Sequence, residues 1–173
     1  SIDTVKNTTN SIYDISLTYT GISNGSEILT IEPKTSTSIY DIFGLSASVT
    51  QSNNTTSLPD QVGPTFTSID VSSNNSVNTK YTIGNDIVSL NITASENINQ
   101  PYVVFKSGGA AINDTVIYSG SGNSWNAQYT VNSSDLTGTI TFTVDASDNV
   151  GNTATQATMT TNASTVAKLT TSS

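Results

Sequence analysis

In the stretch DIVSLNITAS, residues 86–95, Val88, Leu90, Ile92 and Ala94 alternate with Ser89, Asn91 and Thr93. A spacing of two places each set on one face of a pleated ribbon, so the segment predicts a strand buried on one side. The same period recurs in SWNAQYTV, with Trp125, Ala127, Tyr129 and Val131 inward, and in TITFTVD, with Ile140, Phe142 and Val144 inward. Shorter runs read alike: TFTSIDV from Thr65, YVVFK from Tyr102, TVIYS from Thr115 and TATQATM from Thr153. No segment carries a competing helical period with caps. The breaks IGND, SGGAAIND, SGSGNS, SSDLTG and DNVGN carry turn residues, and Pro101 stands at a strand start, where its missing N–H does no harm.

About seven short strands between such turns predict an all-β fold, an immunoglobulin-like sandwich, over residues 62–173. Tyr102, Phe105, Tyr118 and Phe142 are expected in its core beside Trp125 and Tyr129, rather than on a sugar-stacking surface. The first part, residues 1–61, is strand-like too: IYDISLTY alternates Tyr13, Ile15, Leu17 and Tyr19, and EILTIEP and LSASVT follow. Between the parts, TSLPDQVGPTF sets Pro59 and Pro64 around Gly63, a short and stiff connection.

One signature, D-x-x-G-x-[ST]-A-[ST], occurs twice, as DIFGLSAS from Asp41 and DNVGNTAT from Asp148. The copies lie 107 residues apart, about one immunoglobulin-like module. In that register Ser1 falls on Gly108, and the strands of Pro64 to Ser107 have no counterpart in the first part. The expectation is therefore a partial first module, its C-terminal half, whose apolar face and strand edges need a cover. Earlier residues of a longer tandem chain would supply it, or a neighbouring subunit would, by strand addition. A small independent sheet with a chance repeat is the third reading.

Charge narrows the partners. Lys+Arg number 5 against 13 Asp+Glu, a formal net charge of -8, and all five cations are Lys. Such a surface repels nucleic acid and anionic lipid and favours divalent cations. There is no cysteine and no histidine, which removes disulfides, thiolate zinc sites and the commonest general base. No apolar run approaches the roughly 20 residues that span a bilayer, so membrane insertion is not expected.

The stretches SSNNSVNTKYTIGNDIVSLNITASENI and GSGNSWNAQYTVNSSDLTGTITFTVDASDNVGN resemble the tandem bacterial-type immunoglobulin-like (BIg-type) repeats of large secreted surface proteins and adhesins. They are also similar to modules of archaeal S-layer proteins, and the likeness spans most of residues 64–166. YTGISNGSEILTIEPKTSTSIYDIFG resembles the lead-in to the D-x-x-G-N turn of such a repeat, with Leu45 where Asn is usual. The resemblance implies an extracellular, non-enzymatic module at the cell surface, structural or adhesive. Copies of the same chain, or adjacent modules of a longer one, are the implied partners, and glycans are a further one. A surface filament or S-layer lattice is the leading expectation; an adhesin stalk or tip that binds a host glycan or protein is the alternative.

Asp145, Asp148, Asn149 and Asn152 gather oxygen donors near one turn, with Asp60 at the connection and Glu96 in ASENI as additions. Hard cations such as calcium take about six to eight oxygens from loops of this kind. Asp and Asn at turns also bond their own backbone without any metal, and both readings stay open. No organic cofactor is expected. N-x-[ST] sequons stand at Asn7, Asn24, Asn53, Asn54, Asn74, Asn91, Asn113, Asn132 and Asn162 as glycosylation candidates. A glycosidase needs two carboxyl groups across a cleft, and no pocket is expected here. A crosslink from Lys80 or Lys106 assisted by a buried Glu96 is a remote reading.

Overall fold

The computed structural model describes the backbone of residues 2–9 and 12–170 and the side chains of residues 13–170. The chain divides into two compact units, Ser1–Val62 and Gly63–Ser173. Among the described residues all regular structure is strand, so the protein is all-β.

In the first unit, β1 (Ile2–Thr9) pairs antiparallel with β2 (Ile12–Leu17), and β3 (Ile28–Thr30) with β4 (Thr55–Ser57). Two-stranded ribbons bury little, and isolated ones are marginal in water. Only Ser23 is buried among the described side chains 13–62, while Ile42 is 93% exposed, Phe43 82% and Leu45 69%. Period two appears in IYDISLTY, yet its Tyr13, Ile15 and Tyr19 face solvent. LSASVT forms no strand; its one pairing is the Tyr40–Ser46 bridge. β1 was not foreseen from the alternation.

The second unit holds two sheets. β5 (Phe66–Ser73), β7 (Ile87–Ala94), β10 (Ile117–Ser121) and β11 (Ser124–Thr130) form one, in the order β10-β11-β7-β5. β6 (Tyr81–Thr82), β8 (Tyr102–Ser107), β9 (Ala110–Ala111), β12 (Gly138–Asp145) and β13 (Ala167–Lys168) form the other, in the order β6-β13-β12-β8-β9. Neighbours are antiparallel throughout, except that β6 and β13 run parallel. Both sheets give their inward residues to one cluster: Ile69, Val88, Leu90, Ile92 and Tyr129 from the first, Val103, Phe105, Phe142 and Val144 from the second. Burying each such side chain contributes about 1.5–3 kcal/mol, which the first unit's exposed residues forgo. The rings of Phe105 and Tyr129 meet with centroids 4.9 Å apart, so Tyr129 is core and not a sugar platform.

Three expectations about this unit need correction. Tyr102 is 65% exposed, because Val103 and Phe105 face inward and a strand cannot turn both Phe105 and a residue three before it to one face. Trp125 is only half-buried, its indole N–H donating to the Gly122 carbonyl at 3.1 Å. Thr153–Met159 is not a strand but meets β12 and the residues after it through isolated bridges, Val144–Ala157 in β12 and Ser147–Thr153 just beyond it. Between those bridges three steps on one side face four on the other, and the extra residue interrupts the ladder. Among the described residues the last strand is β13, which begins eight residues after Met159.

Candidate functional site

At Asp148 the chain reverses around a single carboxylate. Oδ1 accepts the backbone N–H groups of Val150 (2.9 Å), Gly151 (2.6 Å) and Asn152 (2.8 Å), and Oδ2 accepts the Asn152 side-chain amide at 2.7 Å. The Asp148 N–H donates to the Asn152 carbonyl at 3.0 Å, and Gly151, at φ +103°, supplies the left-handed step. Asp148 is 2% exposed. Burial opposes its charge, but bonds from the Asn152 side chain and from the backbone of Asn152, Val150 and Gly151 outweigh it, holding the carboxyl below its ordinary range.

Within the second unit the structure brings Glu96 to Asp148, with carboxylate oxygens within 4.8 Å of each other. The loop after Glu96 is tied to the same turn, since Ile98 bridges Asp148 and the Asn99 side chain donates to the Asp148 carbonyl at 2.7 Å. Asp145 is not part of this group. Gln156 donates to both its carboxylate oxygens at 2.9 Å, at the end of β12. Asn149 is exposed at the tip of the turn, and Asn152 spends its amide on Asp148. Asp60 lies in the first unit, where it bridges Asn24 and its Oδ1 accepts the Val62 N–H at 3.0 Å. An Asx-type turn built on Asp148 thus engages both oxygens of that carboxylate, and Gln156 engages both of Asp145.

The first copy of the signature makes the same turn. Asp41 Oδ1 accepts the N–H groups of Phe43 and Leu45, both at 2.9 Å, and the Asp41 N–H donates to the Leu45 carbonyl at 2.9 Å. The Tyr40–Ser46 bridge stands where Ser147–Thr153 stands in the second copy, again 107 residues apart. Its tip differs in chemistry, Ile42-Phe43-Gly44-Leu45 against Asn149-Val150-Gly151-Asn152. Leu45 has no amide to offer the second carboxylate oxygen.

Sequence reading expected no pocket, but an open groove of about 430 Å³ runs beside β8, between Tyr102, Phe105, Ile112, Val116 and Tyr118. The Tyr118 hydroxyl accepts the Val103 N–H there at 3.0 Å. Asp114 is the one carboxylate in its lining, so no facing pair of the glycosidase kind exists in it. Lys80 and Lys106 are exposed, which removes the buried setting a side-chain crosslink needs. Among the described residues the buried cation is Lys168, whose ammonium donates to the Ser133 and Asp135 carbonyls. Nothing in the alternation marked it, because a buried Lys bonded to backbone carbonyls leaves no partner side chain to read.

The sequons fall in different settings: Asn91 mid-strand on the outer face of β7, Asn24, Asn53, Asn54, Asn74, Asn113, Asn132 and Asn162 outside the named strands. The Asn7 side chain lies outside the described residues. No protein-family model matches the chain, and no curated protein matches its sequence. Among the described residues no helix is long and apolar enough to cross a membrane.

Proposed function

We propose that this is a non-enzymatic structural protein of the cell surface, whose immunoglobulin-like modules assemble with copies of themselves into a filament or S-layer lattice. The observation that carries the reading is the first unit's surface: Ile22, Ile28, Ile42, Phe43 and Leu45 are each at least two-thirds exposed, with no buried apolar side chain among the described residues 13–62. The second unit also exposes apolar residues such as Val77 and Val150, but it has a buried core of its own. Apolar surface of this kind, on β3 at Ile28 and on turns and loops at the other four residues, favours a partner that removes it from water, and short ribbons offer edges to which such a partner can add strands. The immunoglobulin-like assignment is supported by strand order. Taking β5, β7, β8, β10, β11, β12 and β13 as the seven strands A to G, the sheets read D-E-B-A and G-F-C, as in a constant-type domain.

Calcium has a supporting part in this proposal. Glu96 and Asp148 would hold it in the second unit, supplying charge that stiffens the loops 96–99 and 148–152. Asp148 already accepts four hydrogen bonds, so the pair meets only part of a calcium ion's need, and the fit is partial. The alternative, an adhesin segment, is favoured by the groove beside β8, which is open and half apolar.

Electron microscopy and sedimentation of the purified protein test the reading. Ordered filaments or sheets are expected, and Phe43→Ser with Ile42→Ser should disperse them without unfolding the second unit. Monomers that persist at high concentration, with calcium present, would overturn it and leave the adhesin reading.

A further inference from the structure

The motif N-x-S-[DE] occurs at Asn24-Gly25-Ser26-Glu27 and at Asn132-Ser133-Ser134-Asp135, and the two sites fold alike. At Asn132, Oδ1 accepts the Ser134 N–H at 3.1 Å and the Ser134 hydroxyl at 3.0 Å, and the Asn132 N–H donates to Asp135 Oδ2 at 2.9 Å. At Asn24, Oδ1 accepts the Ser26 N–H at 3.0 Å and the Ser26 hydroxyl, and the Asn24 N–H donates to Glu27 Oε2 at 3.0 Å. Each is a self-capped turn at the surface. Both Asn and both Ser at the third position are exposed, and among the described residues neither amide nitrogen has a protein acceptor.

Two other sequons are locked. Asn91 sits on β7, paired with β11 on one side and β5 on the other, opposite Asn126 and Asp70, and its Oδ1 accepts the Asn126 amide at 2.9 Å. Bending residues 91–93 into an enzyme's cleft would open the central strand of the sheet. Asn162 donates its amide to Asp70 Oδ1 at 2.8 Å, and the Ser164 hydroxyl accepts the Val71 N–H at 2.9 Å. The Asn162 amide nitrogen is therefore engaged, which is what sets this site apart from Asn24 and Asn132.

We propose that the folded protein is an N-glycan acceptor at Asn24 and Asn132 and withholds Asn91 and Asn162. The donor class is a lipid-phosphate-linked oligosaccharide. In the transfer the Asn Nδ2 bonds to C1 of the sugar, the bond from C1 to the phosphate oxygen breaks, the lipid phosphate leaves with the electron pair, and the amide gives up one proton. Fold, not motif, makes the choice: Asn91 heads a Thr sequon and Asn24 and Asn132 head Ser sequons, yet the backbone at Asn91 opens only when the sheet does. The glycans would then stand on turns and leave the outer face of the β10-β11-β7-β5 sheet bare.

The test uses a purified oligosaccharyltransferase that requires only N-x-S/T and that modifies proteolytic peptides carrying each of the four sites. Given the intact folded protein, with occupancy read by glycopeptide mass spectrometry, Asn24 and Asn132 are expected to react at least about tenfold faster than Asn91 and Asn162. Asp70→Ala releases the Asn162 amide and should raise occupancy there while Asn91, still paired on both sides, stays unmodified. Equal rates at Asn91 and Asn132 in the folded protein, or silence at Asn24 and Asn132, would overturn the proposal.

Discussion

The turns at Asp41 and Asp148 share three hydrogen bonds and differ in their surroundings. In the second unit the carboxylate is buried, its second oxygen is bonded by Asn152, and the chain on either side feeds a two-sheet core. In the first unit the turn stands at the surface with an apolar tip, Ile42, Phe43 and Leu45, and no buried apolar side chain among the described residues. A local motif therefore specifies its own loop but not the packing that makes the loop matter. Carboxylate-to-backbone bonds need only five successive residues, whereas a core needs two sheets whose inward faces meet.

The largest effect that would sharpen this contrast comes from truncating one Phe in each unit. Phe105→Ala, in the core, should cost about 3–5 kcal/mol in urea unfolding. Phe43→Ala, 82% exposed, should stay within about 0.5 kcal/mol when the protein is kept dispersed. Equal costs would break the comparison, because they would mean that the first unit has a core of its own.

Next in size is Gly63→Ala. A Cβ there would lie 2.2 Å from the Thr153 carbonyl oxygen, with backbone on both sides of the contact. A loss of about 1–3 kcal/mol is expected, read as a lower urea midpoint. Gly44, equivalent in the chain to Gly151, has open space around its missing side chain, so Gly44→Ala meets only the strain of φ +79°. A smaller loss at Gly44 than at Gly63 separates crowding from backbone preference.

Acid titration tests the buried carboxylate. Because the folded protein holds Asp148 below its ordinary carboxylate range, the unfolded chain takes up protons first as pH falls. The stabilisation is complete above the unfolded value near 3.8 and is lost as pH drops through the lower folded one. Asp148→Asn should thus lower the unfolding midpoint at pH 7, with the gap to the parent protein narrowing below about pH 4. The smallest effect belongs to Asp41→Asn, on an exposed turn, where a change in unfolding midpoint close to zero is expected at pH 7. A loss at Asp41 as large as that at Asp148 would show that exposure does not separate the two turns.

Much of the second unit was legible before any coordinates. Val88, Leu90, Ile92, Ala127, Tyr129, Ile140, Phe142 and Val144 all lie in the buried core, since period-two alternation and one-sided burial are the same fact in sequence and in space. Tyr102 is aromatic yet faces outward, because in a strand register decides the face and residue type does not. The expected strand at Thr153 failed on one extra residue opposite β12, a defect that alternation does not encode. For the candidate site, sequence found Glu96 and Asp148 but grouped Asp145 with them; the Gln156 amide that occupies Asp145 comes from eleven residues away and carries no motif.

What the sequence determined by itself is local: all-β character, strand faces in the second unit, and a turn built twice from one signature, because pleat and turn geometry are set by neighbours along the chain. Tertiary structure alone decided which of these pieces acquired an interior. The same alternation is buried in β7 and exposed in β2, and the same sequon is locked at Asn162 and open at Asn132, because burial and engagement depend on what the fold brings from far along the chain.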